Sequence, residues 1–317
     1  MSKRIEWIDS ARGIAILFVV LGHCIGNIED PVNKFILAFH MPLFFFLSGL
    51  CAKCKGDNKI KQILNKAKVL LVPQVTLGLL NCATQIVSGG GKKEQLYKNF
   101  TAWFLLVLFY ITVVFIIISP YLKSIHTVLL FSLFCIFVTS AISRFEIDTI
   151  MNAELIPTAL AFFLLGYGCK LYFEKHKDFI EVSNVFMLLP FSVPVVVICS
   201  YWNTPVTMYN NGIGNPLLFL LGALAGIYTV CGVAVGLQNN KLLLFVGQNS
   251  IIIYVCHFAV LKALHLIGKT VFPTLATCNY LYPANWHYFL IAVLVLIPCI
   301  LISNKYFPWM FGKKQVK

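Results

Sequence analysis

The sequence predicts an all-helical membrane protein that crosses the bilayer about ten times, with both termini on the cytoplasmic side. Three observations lead there. The chain of 317 residues is 59% hydrophobic and only 12% charged, with a mean hydropathy of +0.83, outside the balance of water-soluble domains. Its apolar residues gather in runs long enough to cross about 30 Å of hydrocarbon as helices. Its Lys and Arg concentrate in alternate connecting segments, the pattern left when basic residues are retained in the cytoplasm.

The ten runs lie near 13–29, 34–52, 69–87, 101–119, 127–143, 155–172, 184–201, 213–236, 245–266 and 287–304. Connections are short, so residues 1–317 read as a single membrane domain. With the N-terminus inside, the inner segments hold 18 of the 25 Lys and Arg, and an even number of spans returns the C-terminus to the same face. Topology and anionic lipid account for the formal net charge of +13, so no nucleic-acid partner is required. The multi-pass pattern implies the inner, cytoplasmic membrane of a cell.

Several features along the chain qualify this outline. Lys3 and Arg4 precede an apolar run as in a signal peptide, but Asp9, Arg12 and the lack of a small-residue cleavage site argue against one. The 11 cysteines are scattered, most of them in apolar runs, which suits buried thiols better than a disulfide framework. Cys51 and Cys54 have metal or redox spacing without a second pair nearby. Pro42, Pro73, Pro157, Pro190, Pro194 and Pro298 fall within spans and predict kinks. The Lys-rich loop 53–68, the stretch 88–94 and the outer segment 269–286 read as loops.

The chemistry concentrates in the first hairpin. Arg12 and His23 are eleven residues apart, three helical turns plus about 20° and a rise of ~16 Å. One helical stripe therefore joins a cation at the cytoplasmic lip to an imidazole near mid-bilayer. Asp9 precedes Arg12 by three residues where the helix should begin, as a cap, as the partner of Arg12, or both. Pro31 marks the outer turn, with His23 eight residues before it and His40 nine after, so antiparallel neighbours bring both imidazoles to one depth. A histidine in a span faces a polar interior or a cavity, and imidazole is suited to accept and return a proton near neutral pH. Arg12 also has a plainer reading, as a snorkelling topology anchor.

The stretches DSARGIAILFVVLGH (9–23), FHMPLFFFLSG (39–49), KAKVLLVPQ (66–74), WFLLVLF (103–109) and GQNSIIIYVCHF (247–258) occur in this order. Together they resemble the acyltransferase-3 family of integral membrane acyltransferases, in particular its fucose 4-O-acetylase-like branch. The resemblance implies an acyl-CoA-dependent O-acyltransferase. It would move an acyl group, commonly acetyl, from cytosolic acetyl-CoA to a sugar hydroxyl of a surface polysaccharide or glycolipid. By position, Arg12 and His23 match the family's Arg and His pair, and His40 matches the His of the branch's FHMP. The family often has Arg before LLxP, where this chain carries Lys66 and Lys68. Lys can neutralise phosphate there but lacks the planar fork of Arg.

The expected site therefore has His23 as principal base and His40 assisting, with Arg12, Lys66 and Lys68 binding the donor. Asp9, Glu154, Tyr254, His257, Asn249 and Trp103 are candidates for orienting groups or substrate contacts. Each of these has a plainer alternative. Tyr254 and His257 are helical neighbours that can simply pair. Asn249 or Ser250 can cap an inner helix start. Glu154 can face water at the outer end of the sixth span, and Trp103 can belong to an interfacial belt. Ser48 reads as helix packing. No metal is expected, because the two histidines of the first hairpin lack a nearby carboxylate. The competing function is a proton-coupled transporter using His23 and His40 as a relay, for which internally repeated halves are missing. Direct transfer is favoured over an acyl-enzyme, and a homo-oligomer is left open.

Overall fold

The computed structural model describes residues 5–53, 58–87, 103–147, 149–175, 188–271 and 285–311. Lys3, Arg4, Cys54, the stretch 88–94, most of the segment 269–286 and the C-terminal lysines lie outside the described residues. The helices are α1 (Glu6–Ile25), α2 (Pro31–Leu37), α3 (His40–Leu50), α4 (Lys59–Val87), α5 (Trp103–Ile118) and α6 (Ile125–Arg144). They continue with α7 (Ile156–Lys175), α8 (Leu189–Trp202), α9 (Pro216–Gly236), α10 (Lys241–Gln248), α11 (Ser250–Val271) and α12 (Asn285–Tyr306).

Among the described residues, nine stretches are long and apolar enough to cross a membrane, α2 and α3 together forming one of them. The protein is thus an all-α, multi-pass membrane protein. The fourteen-residue α8 is shorter and runs antiparallel to α9: a Cβ on Gly222 would meet Cys199 at 3.1 Å, and one on Gly232 would meet Leu189 at 2.8 Å. Arg12 and Phe311 line one cavity, so both ends of the described chain lie at the same end of the bundle, called the inner end below.

Local chemistry sets several helix ends. Asp30 accepts from the Val32 and Asn33 N–H groups, with Pro31 at the first turn of α2, while Asn215 and Asn240 do the same for α9 and α10. Pro157 and Pro190 fall in first turns, where no N–H is needed. Pro73, Pro194 and Pro298 lie inside their helices.

The second span breaks at Phe39, whose ψ of −19° follows a φ of −140°. Pro42 has no N–H with which to continue the helix from Ala38, so α3 starts anew and Pro42 falls in its first turn. The break makes His40 the first residue of α3.

Two apolar cores form. One gathers α3, α5, α7 and α9, and the other joins α1, α10, α11 and α12. Phe44 and Tyr254 pack against both, which marks the seam between them. Within the second core, α10 lies across the first turns of α1 with backbone touching backbone. A Cβ on Gly247 would lie 2.7 Å from the Asp9 carbonyl carbon and 3.0 Å from the Gly13 nitrogen. Only glycine permits that approach.

Candidate active site

At the inner end of the seam a cavity of about 630 Å³ opens between α1, α3, α4, α5 and α11, a volume typical of small-molecule sites. Its mouth carries Arg12, Lys53, Gln62, Asn65 and Lys66, its side wall Leu105, Leu108 and Phe115, and its deep end Phe44, Phe104 and Tyr254. Polar and cationic groups thus gather at one end of the lining, and an aromatic partition lines the other. Phe104 packs edge to face on Phe44 at 5.6 Å and on Tyr254 at 5.3 Å.

Arg12 is held from below by Asp9, its Nη1 3.4 Å from Oδ1. The carboxylate side chain is 3% exposed and the guanidinium 28%. Asp9 does not cap α1, because the helix begins one turn earlier, after Ile5. Gly247 explains why Asp9 stays buried: α10 presses on its carbonyl. Lys66 faces the cavity, whereas Lys68, about 200° further round the helix, is not among the lining residues. Lys53 contributes a cation that charge counting along the loop does not single out.

Three helices enter the cavity wall as stripes, and each stripe runs on to a histidine. On α1, Arg12 and Ile16 line the cavity and His23 follows on the same face. On α3, Ser48 and Phe44 line it and His40 stands one turn beyond. On α11, Ser250, Ile251 and Tyr254 line it and His257 is three residues on. The imidazoles converge behind the aromatic partition. The rings of His23 and His257 are 5.2 Å apart, and His23 lies within electrostatic reach of His40.

Each imidazole is held differently. His40 Nδ1 lies 2.9 Å from the Ile36 carbonyl, which also accepts the Phe39 N–H at 3.3 Å. A carbonyl only accepts, so Nδ1 carries the proton and Nε2 keeps its lone pair. His257 Nδ1 contacts the Ile253 and Tyr254 carbonyls at 3.2 and 2.7 Å, which fixes the same tautomer in a ring that is 0% exposed. His23 is exposed and makes no hydrogen bond to the described residues. It sits in the last turn of α1 rather than midway along it.

The other expected residues are dispersed. Tyr254 lies at the partition, packed edge to face on Phe104, and its ring is 5.9 Å from that of His257. Asn249, at the joint between α10 and α11, donates to the Phe245 carbonyl and accepts from Asn304, each at 2.8 Å. Trp103 packs against Phe104 and Phe45 at 6.0 and 6.3 Å, within the aromatic core. Glu154 is 4% exposed and accepts from Thr149 and Asn152 in the 3-10 turn ahead of α7. Ser48 donates to the Phe44 carbonyl at 2.8 Å and lines the cavity. Among the described residues no three His, Cys, Asp or Glu are placed to hold a metal ion.

A family model described as an acyltransferase domain matches residues 5–304. No curated protein and no solved structure matches the chain.

Proposed function

The chain belongs to that acyltransferase family, and on this premise we propose that it is an O-acyltransferase of the cytoplasmic membrane. It takes an acyl group, acetyl in the simplest case, from cytosolic acyl-CoA and delivers it to a sugar hydroxyl of a surface polysaccharide or glycolipid. One observation carries the reading: three helix stripes line a cation-mouthed cavity at the inner end, and each leads beyond its aromatic end to an imidazole. A donor with anionic phosphates at one end and a reactive thioester at the other matches that polarity. The same histidines would serve a proton-coupled transporter, but family membership favours acyl transfer.

In this account the mouth neutralises phosphate. Arg12 offers a planar fork whose direction Asp9 sets, and Lys53 and Lys66 add point charges. Phe44, Phe104 and Tyr254 exclude water around the reactive end, which strengthens every polar interaction there. His23 keeps accessible surface, which an acceptor can reach. It acts as general base on the acceptor hydroxyl and returns the proton to the leaving thiolate. His40, whose Nδ1 is committed to the Ile36 carbonyl, keeps the lone pair on Nε2 and assists. Transfer is direct, since a single base between donor and acceptor suffices.

Purified protein given labelled acetyl-CoA and a panel of surface glycans tests the reading. Acceptor-dependent release of free CoA with label on one glycan is expected. Absence of CoA release with every acceptor and acyl chain offered would refute it.

A further inference from the structure

Resting on the reading of His23 as the base, we propose that His257 is the positioning residue that aims it. Nε2 of His257 accepts a hydrogen bond from one ring nitrogen of His23, which leaves the other ring nitrogen as the proton acceptor. His257 carries an orphan acceptor. His257 is 0% exposed, its Nδ1 is committed as a donor to the Ile253 and Tyr254 carbonyls, and its Nε2 is buried with no partner among the described residues. A buried acceptor in an apolar surround is costly unless some state of the protein supplies a donor.

His23 is the donor within reach. The ring centroids are 5.2 Å apart, about the separation that a 2.9–3.0 Å N–H···N bond between two imidazoles requires. In the present arrangement the ring planes are tilted by 32° and the bond is not made. Phe258 packs on both rings, 4.5 Å from His23 and 4.4 Å from His257, and keeps the pair together. His257 cannot turn without losing both carbonyls. His23, exposed and without a hydrogen bond, can. Rotation of His23 completes the pair, in the order nucleophile, base and orienting acceptor that activates a hydroxyl.

The acceptor oxygen bonds to the acyl carbon while its proton passes to the free nitrogen of His23. The bond from acyl carbon to sulfur breaks, and the thiolate takes that proton from His23, giving ester and free CoA thiol. His257 stabilises the transient imidazolium by accepting its other N–H and gains no proton itself.

Two variants separate this role from a structural one. Asn at 257 keeps a donor near Nδ1 and has nothing at the Nε2 position, whereas Gln reaches that position with an acceptor oxygen. H257N should lower kcat by about 10²-fold or more at unchanged KM for acyl-CoA, and H257Q should restore at least tenfold of that loss. If Asn equals or exceeds Gln, or only KM moves, His257 is structural and the proposal is wrong. Should neither variant fold, ¹⁵N-histidine NMR of the full chain decides. Removing the His23 ring with H23A must shift the His257 Nε2 resonance, and an unmoved resonance overturns the pairing. If wild-type protein transfers nothing from acyl-CoA, the reading beneath this proposal fails and the proposal falls with it. Wild-type activity with the wrong variant order sinks the proposal alone.

Discussion

Replacing Gly247 by Ala probes how the mouth of the cavity is assembled. The new Cβ would lie 2.7 Å from the Asp9 carbonyl carbon and 3.0 Å from the Gly13 nitrogen, where carbon contacts are comfortable near 3.5–4.0 Å. The obstacle is backbone on both sides, the Asp9 carbonyl oxygen nearest of all, so no rotamer relieves it, and α10 must retreat from α1 by more than about 1 Å. Ala gains up to about 1 kcal/mol of helix propensity over Gly, less at the end of a helix. Overpacking costs ~1–3 kcal/mol, so the clash wins. Arg12 sits on the displaced turn of α1 and Gln248 and Ser250 on the displaced wall, and a shift of about 1 Å in a positioned group costs roughly 10²-fold. The expected outcome is a lowered melting temperature with weaker CoA binding by calorimetry and a comparable fall in kcat/KM. Gly168→Ala is the control, because its Cβ would meet only the tip of Val128 at 3.3 Å. Wild-type melting and CoA affinity in Gly247→Ala would refute the α1–α10 contact as the element that sets Arg12.

Further outcomes follow from the same geometry. Arg12→Ala, Lys53→Gln and Lys66→Gln should each weaken CoA binding, with the loss shrinking as salt rises, whereas Lys68→Gln should leave affinity unchanged; calorimetry at two ionic strengths checks all four. Asp9→Asn leaves the guanidinium without its carboxylate and should raise the Kd for CoA while sparing kcat in saturating donor. Phe44→Ala opens the partition, so the rate with hexanoyl-CoA relative to acetyl-CoA should rise about tenfold. An unchanged acyl-length profile would remove Phe44 from the path.

The first hairpin was legible because helical periodicity alone puts Arg12 and His23 on one face. The depth of His23 was not. Treating Asp9 and Arg12 as polar flanks starts the span at residue 13, whereas their mutual pairing lets the helix begin at Glu6 and carries His23 to the last turn. The apolar run 245–266 conceals two helices that turn at Asn249, since hydropathy does not register a change of direction. Charge counting places Lys53, Lys66 and Lys68 on one side of the membrane but is blind to which of them face a cavity. His257 is visible as a histidine in an apolar run. Its meeting with His23 depends on how α1 and α11 pack, which no local pattern encodes.

The central claim is that His23 is the base for acyl transfer from CoA. The most direct measurement is the rate of label transfer from acetyl-CoA to a glycan acceptor by purified wild-type and His23→Ala protein, with CoA affinity measured alongside. The account predicts a rate lower by 10²- to 10⁴-fold at unchanged CoA affinity. Near wild-type turnover in folded His23→Ala protein would contradict it.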